Sequence, residues 1–330
     1  MSEKVLITGG AGFIGSHVID EVLALGMSPV VLDDLSGGFV ENVNPKAEFV
    51  KGSITDKKTV DSLFEKHHFT YVYHLAAYAA EGLSHFIKKF NYENNLIGSV
   101  NLINASVNYN VKCFIFTSSI AVYGKGQLPM TEEMTPIPED SYGIAKYSVE
   151  QELKVSKEMF GLNYVIFRPH NVYGERQNIG DKYRNVIGIF MNQIMQGKQL
   201  SIFGNGEQSR AFSHIKDVAP ILARCAIMEK AYNQIFNIGA DTPYSVNTLA
   251  KVVCNAFNVE PTIKYFPARN EVLHAYSDHS KVKKYFNHEA NVSLEEGVKR
   301  MAEWAKTVGA RKSGVFENIE IKKNLPAAWV

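Results

Sequence analysis

Tyr142 and Lys146 stand four residues apart, so a helix through them puts a phenol and an ammonium on one face. A free tyrosine holds its proton to about pH 10 and is a poor base at neutral pH. A neighbouring lysine and a positively charged ring both favour the phenolate. Lowering its pKa by ~3 units needs about 4 kcal/mol of differential stabilisation, attainable in a partly desolvated site. Such a phenolate takes a hydroxyl proton while hydride leaves the same carbon. Upstream, Thr117-Ser118-Ser119 follows the apolar run Phe114–Phe116. A hydroxyl at that strand end can hydrogen-bond the same substrate oxygen and position it. YxxxK alone is common by chance, and its plain reading is the start of a surface helix. It gains weight beside a second motif.

That motif is Gly9-Gly10-Ala11-Gly12-Phe13-Ile14-Gly15. It follows the strand-like Val5–Thr8 and opens a helix-like stretch, Phe13 to Leu25. Glycines allow a tight turn and a close approach to a pyrophosphate, while a helix N-terminus offers unpaired N–H groups and a positive dipole end. The spacing is GxxGxxG, and glycines also serve ordinary turns. Its place after the first strand, with Asp33 about twenty residues on, points to a dinucleotide. Asp33 can accept both adenosine ribose hydroxyls and would repel a 2′-phosphate, so NAD is expected over NADP. Asp34 joins the same cofactor edge and is better suited to the turn before Gly37-Gly38.

The elements needed to hold these groups follow from periodicity. Strands are expected at Val5–Thr8, Pro29–Asp33, Glu48–Val50, Tyr71–Leu75, Phe114–Thr117 and Tyr164–Phe167. Helices fall between them, one from Asp56 to about Lys66 and one over Asn94–Asn108 with Leu96, Val100, Ile103 and Val107 on one face. Continuous apolar strands alternating with helices indicate an α/β fold, a Rossmann-type doubly wound parallel sheet. After Pro169 the rhythm loosens into Gly-, Asn- and charge-rich segments, which predicts a smaller C-terminal α/β substrate lobe. The expected division is 1–172 for the NAD-binding domain, with 211–240 returning to it, and 173–210 with 241–330 for the second lobe.

Composition removes other classes. Thirty-five basic against 34 acidic residues give a net charge of +1, without the basic excess or stripe of a phosphate-contacting nucleic-acid binder. No apolar run reaches bilayer-spanning length. Cys113, Cys225 and Cys254 are odd in number and widely spaced, which suggests neither disulfides nor a metal site. His67-His68 lacks a ligand companion, and His17, His74, His85, His170 and His214 are read as packed or hydrogen-bonded. The Met1–Lys4 start carries no leader-like pattern. A reducing, cytoplasmic compartment is the expectation.

Taken together, the motifs resemble the extended short-chain dehydrogenase/reductase superfamily, and within it the nucleotide-sugar epimerases of the UDP-glucose 4-epimerase type. The resemblance covers nearly the whole chain: ITGGAGFIG at Ile7–Gly15, HLAA at His74–Ala77, Asn94–Asn95, FTSSIAVYG at Phe116–Gly124, YGIAK at Tyr142–Lys146, RPHNVYG at Arg168–Gly174 and RAFSHIKDVA at Arg210–Ala219. It implies Tyr142 as base, Lys146 as its modulator and nicotinamide-ribose ligand, and Ser119 as hydroxyl partner. For NAD it implies Gly9, Gly12, Phe13, Ile14, Gly15, Asp33, Asp34, Ile54, Leu75, Ala76, Ala77, Asn95 and Ser118, with Asp56 at the adenine. For a UDP-sugar it implies Asn171 at the diphosphate and Arg210 and Arg269 as phosphate clamps, although the sequence around Arg269 departs from the family pattern. A homodimer is also implied.

Departures narrow the chemistry. Sugar 4,6-dehydratases of this superfamily carry an Asp-Glu pair just after the serine region, where this chain has Ile120 and Ala121. The glutamate usual in glucuronate decarboxylases is absent too. C4 inversion through a 4-keto sugar remains, with UDP-glucose/UDP-galactose the leading pair. Small Ala275 suggests room for UDP-N-acetylhexosamines, and Arg176, Lys182 and Arg184 suggest a uronate carboxylate. A 4-keto-sugar reductase and a non-catalytic NAD-sensing protein are the remaining alternatives. The latter is disfavoured because Tyr142 and Lys146 are both present.

Overall fold

The structure, a computed structural model, describes residues 2–126, 128–268, 272–288, 290–314, 316–326 and residue 329. Its centre is a seven-stranded parallel sheet. The first half of the chain supplies β1 (Lys4–Thr8), β2 (Ser28–Asp33), β3 (Glu48–Lys51), β4 (Tyr71–His74), β5 (Cys113–Thr117) and β6 (Tyr164–Pro169). Between them run α1 (Phe13–Ala24), α2 (Lys57–His67), the short turns α3 (Glu81–Ser84) and α4 (Lys88–Tyr92), then α5 (Gly98–Asn108) and α6 (Ser141–Phe160). The expected helix over 94–108 begins instead with a π-helical turn, Glu93–Ile97.

The second half adds β7 (Val172–Tyr173), α7 (Val186–Met195), β8 (Leu200–Phe203), β9 (Ser209–Ala211), β10 (Ser213–His214) and α8 (Ile215–Arg224). Then come β11 (Gln234–Ile238), β12 (Pro243–Ser245), α9 (Val246–Phe257), β13 (Ile263–Phe266), β14 (His274–Ala275), α10 (Ser280–Phe286) and α11 (Leu294–Val308). The large sheet runs β11-β6-β5-β4-β1-β2-β3, so β11 joins it beside β6. The order reverses between β1 and β4, where open α/β sheets bind ligands at the carboxyl edge.

Both faces of the sheet are apolar, which is why its strands read as unbroken hydrophobic runs. Val5, Ile7, Val31 and Val165 pack under α1 and α8, whereas Leu6, Val30, Leu32, Phe114 and Ile166 pack under α2, α5 and α6. A separate core of Phe190, Met191, Leu249, Val253, Val298 and Met301 joins α7, α9 and α11. Beside it lie β13 paired with β8, and β9 between β12 and β14. All three cysteines are buried free thiols. Among the described residues, no helix is long and apolar enough to cross a membrane.

Candidate active site

A cavity of about 570 Å³ runs along the carboxyl edge of the sheet, from the glycine turn to Arg210 and Val272. That volume is typical of small-molecule sites. Its floor is backbone. Gly9 has φ +71°, and a Cβ there would stand 2.7 Å from the Ala76 nitrogen; a Cβ on Gly15 would stand 2.2 Å from the Gly9 carbonyl oxygen. Glycine is therefore required at both positions. Helix α1 opens at Gly12 with no capping side chain and no acidic residue in its first turn. Its first N–H groups thus face the cavity, an arrangement suited to an anion. Gly9, Gly12, Phe13, Ile14, Gly15, Asp33, Asp34, Ile54, Leu75, Ala76 and Ala77 all line it.

At the end of β2, Asp33 accepts from the Ala11 N–H at 3.0 Å and the Leu35 N–H at 2.8 Å. Burial raises its pKa, opposed by these donors. Two carboxylate oxygens offer about four acceptor sites, so capacity remains for ribose hydroxyls. Asp34 is occupied by the Ser36 N–H at 2.9 Å, the turn role suited to it. The cradle, the uncapped helix end and the acceptor at β2 together fit a dinucleotide with a free 2′-hydroxyl.

On the opposite wall, α6 starts at Ser141 because the Asp140 carboxylate accepts from the Gly143 N–H at 2.8 Å. This presents Tyr142 and Lys146 to the cavity, facing Ser119 at the end of β5. The Lys146 amine donates to the Thr117 carbonyl at 2.9 Å and lies 5.7 Å from the Tyr142 ring centre. Burial lowers the Lys146 pKa to about 7, partly opposed by Glu150. Tyr142 is raised, first by burial and then by Glu81 and Asp140, against a hydrogen bond from Ser119. The phenolate expected from the sequence is thus opposed in the protein alone. The carboxylates of Glu81, Glu139 and Asp140, with His85, line the same end of the cavity.

Beneath this wall the buried Glu150 accepts three hydrogen bonds, a brace absent from the sequence reading. Ser118 Oγ donates at 2.6 Å, Arg168 Nε at 2.9 Å and Arg168 Nη2 at 2.6 Å. Ser118 lines the cavity, but its hydroxyl serves this brace. Glu150 lies eight residues after Tyr142, two helical turns on, and Arg168 opens RPHNVYG; their pairing is visible only once β6 lies beside α6.

Other expected positions fall differently. Asp56 is exposed and caps α2, accepting from the Lys58 N–H at 3.0 Å and the Thr59 hydroxyl at 2.7 Å. It is absent from the cavity wall, so the adenine role is not supported. Asn95 is buried away from the cavity, bonding the Tyr78 N–H and carbonyl and the Asn91 side chain. It braces the loop that carries Tyr78. Ala275 packs with Ile120, Val122, Tyr123 and Met130, a cluster that Val272 also joins, and Val272 lines the cavity.

Asn171 lines the cavity with φ +39° and donates to the Ala211 carbonyl at 3.2 Å. Arg210 also lines it, its guanidinium donating to the carbonyls of Ser209, Leu273 and Val272. Arg269 lies outside the described residues. Of the three basic residues after RPHNVYG, only Arg184 lines the cavity. Arg176 pairs with Asp20 on α1, and Lys182 donates to the Trp329 carbonyl. His74 is packed, bonded to Thr8 and Ser99. No cluster among the described residues is arranged to hold a metal.

Comparison with known proteins agrees with this geometry. The chain is 36% identical to a UDP-glucose 4-epimerase from Thermotoga maritima crystallised with UDP-glucose, covering 92% of this chain and 99% of that one, with a TM-score of 0.87. It is 30% identical to a UDP-N-acetylglucosamine 4-epimerase from Methanobrevibacter ruminantium solved with UDP-N-acetylmuramic acid (93% and 100% covered, TM-score 0.86). A UDP-glucuronic acid 4-epimerase from Bacillus cereus, solved with its sugar nucleotide and NAD, is 26% identical (92% and 99% covered, TM-score 0.83). Residues 5–239, which hold the glycine turn, Ser119, Tyr142, Lys146 and Arg210, match the sequence profile of one family. With fold, cleft and profile in agreement, the chain belongs to the NAD dependent epimerase/dehydratase family.

Proposed function

We propose that this protein is an NAD-dependent 4-epimerase of a UDP-hexose, with UDP-glucose and UDP-galactose as the leading pair. One observation carries the reading: Tyr142, Lys146 and Ser119 share a cavity wall opposite the glycine cradle and Asp33. When bound, NAD supplies reversible hydride exchange at the sugar C4. Tyr142 takes and returns the C4 hydroxyl proton, Ser119 holds that oxygen, and Lys146 orients the cofactor ribose. Net redox is zero, so the cofactor stays bound through successive turnovers. Residues 1–172 with 211–240 hold NAD in this reading, and 173–210 with 241–330 hold the nucleotide sugar. Asn171 and Arg210 attend its diphosphate.

A neutral hexose is favoured over a uronate. The charges of Glu81 and Asp140 act on Tyr142 and disfavour a second carboxylate at that end of the cavity, with Arg184 acting in the opposite sense. Two of the three cations that suggested a uronate, Arg176 and Lys182, are engaged elsewhere. The exposed apolar side chains Ile97, Val155, Met159 and Phe160, on the outer surface near α5 and α6, support a homodimer. The buried free thiols are consistent with a reducing, cytoplasmic setting.

Proton NMR tests the reading. The purified protein is incubated without added NAD with UDP-galactose, UDP-N-acetylglucosamine or UDP-glucuronate. New anomeric signals of the C4 epimer are expected with UDP-galactose. Unchanged spectra in all three tubes, even after NAD is added, refute the epimerase assignment for these sugars.

A further inference from the structure

Arg184 lines the cavity, and its charge also acts on Tyr142. It belongs to the segment after β7, yet it reaches back over the cofactor cleft. Its guanidinium carbon stands 4.8 Å from the centre of the Tyr78 ring, in the loop after β4. Its Nη2 stands 3.2 Å from where a side chain on Gly37, in the loop after β2, would begin. In the sheet, β1 lies between β2 and β4. A group touching both flanking loops therefore spans the glycine turn that follows β1, from the far side of the cleft.

The segment is anchored at both ends. Arg176 donates to the Ser16 carbonyl at 3.0 Å and to Asp20 at 2.7 Å, and Asn42 donates to the Arg176 carbonyl at 3.2 Å. These bonds fix its start on α1. Further along, the Tyr183 hydroxyl accepts from the Phe316 N–H at 3.1 Å, and Lys182 donates to the Trp329 carbonyl at 3.3 Å. The guanidinium is aimed by Asp181, which accepts from Arg184 Nε at 2.7 Å and pairs with Nη2 at 2.6 Å. Both side chains are largely shielded from solvent.

We infer that Arg184 is a diphosphate clamp for the dinucleotide: the strap formed by 175–185 holds its planar fork over the glycine turn, so that the pyrophosphate is gripped between backbone N–H groups below and a guanidinium above. This rests on the NAD-dependent reading and deepens it, because a cofactor reused in every turnover must not leave between turnovers. The fork suits phosphate oxygens in a way that a lysine ammonium does not. Asp181 and the Tyr78 face hold it in register, so little side-chain entropy is lost on engagement.

The test measures NAD itself. Wild type, Arg184→Met, Arg184→Lys and Asp181→Asn are stripped of cofactor and reloaded, and NAD dissociation is followed by fluorescence at two salt concentrations. Melting curves identify any variant that fails to fold. Arg184→Met, whose stem still covers Tyr78, is expected to release NAD at least about tenfold faster, as loss of charge-assisted bonds implies. Arg184→Lys should fall between it and wild type, and Asp181→Asn should accelerate release by a smaller factor. Release from wild type should quicken with salt more than release from Arg184→Met. UDP affinity should stay within about twofold. Wild-type release rates in a folded Arg184→Met or Arg184→Lys overturn the inference. So does a change confined to uronate turnover, which would place the guanidinium on the sugar. Failure of the epimerase assignment would show separately, as an NAD clamp that still responds to Arg184 in a protein that inverts no sugar.

Discussion

The two long walls of the cleft are made of different material. The cofactor wall is mostly backbone: Gly9 and Gly15 approach other main-chain atoms so closely that no side chain fits, and α1 leaves its first N–H groups uncapped. The substrate wall is mostly side chains from separate segments, with Asn171 after β6, Arg210 on β9 and Val272 before β14. A backbone wall binds by shape and dipole, and tolerates little change. A side-chain wall can be retuned one residue at a time without disturbing the fold. Tyr142 stands where the two meet, so substitutions can be ranked by which wall they break.

The largest effect is expected at that junction. Tyr142→Phe keeps the ring and its packing but removes the proton acceptor, and kcat should fall by about 10³-fold or more. NAD content should match wild type, as absorbance of the acid-released cofactor will report. Near-normal turnover would assign the proton to another group. On the cofactor wall, Asp33→Ala removes an acceptor for the ribose and for the Ala11 and Leu35 N–H groups. NAD should bind about 10–100-fold more weakly, with UDP affinity changed by less than twofold. Equal losses by calorimetry would mean that the walls are not separable.

Lys146 sharpens the comparison through pH. Burial holds its amine near pKa about 7, whereas the unfolded chain keeps that proton to about pH 10. Between those values the unfolded state binds more protons, so stability rises with pH; below about 7 the native state carries the whole desolvation penalty. Lys146→Met forfeits the bond to the Thr117 carbonyl but removes that penalty. It should melt about 2 °C higher than wild type at pH 6, with the advantage fading toward pH 10. Circular dichroism melts across that range check the sign. A variant less stable at pH 6 than at pH 10, relative to wild type, would contradict the neutral-leaning amine.

What could be read from the sequence follows the same division. Val5–Thr8 and Phe114–Thr117 were legible because strands buried on both faces must be continuously apolar, and the glycine turn because backbone contact admits only one residue type. Asp56 was expected at the adenine but caps α2 outside the cavity wall, and a helix-capping aspartate and a ligand-binding one have the same local sequence. Asn95 and Ser118 were placed on the cofactor although their polar atoms serve Tyr78 and Glu150. Those partners come from other elements, and no spacing along the chain announces them. Arg184 shows the converse: it reads as one of three cations in a polar loop, and its position over β1 emerges only from the order of the strands.

The smallest effect is the most informative for the substrate wall. Ala275 lies on β14 beside Arg210 of β9 and packs with Ile120 and Met130. Ala275→Gly should therefore leave the ratio of UDP-N-acetylglucosamine to UDP-galactose turnover unchanged, while costing about 1 kcal/mol of stability through a weakened strand. Val272, three residues earlier, lines the cavity and lends its carbonyl to Arg210. Val272→Ala keeps that carbonyl and enlarges the wall by two methyl groups, so the ratio should move toward the bulkier sugar by a few-fold, the range that about 1 kcal/mol per methylene allows. Initial rates for both sugars on both variants decide the matter. If Ala275→Gly moves the ratio and Val272→Ala does not, the small residue has regained its role. Ala275 would then meet the sugar where Val272 does not.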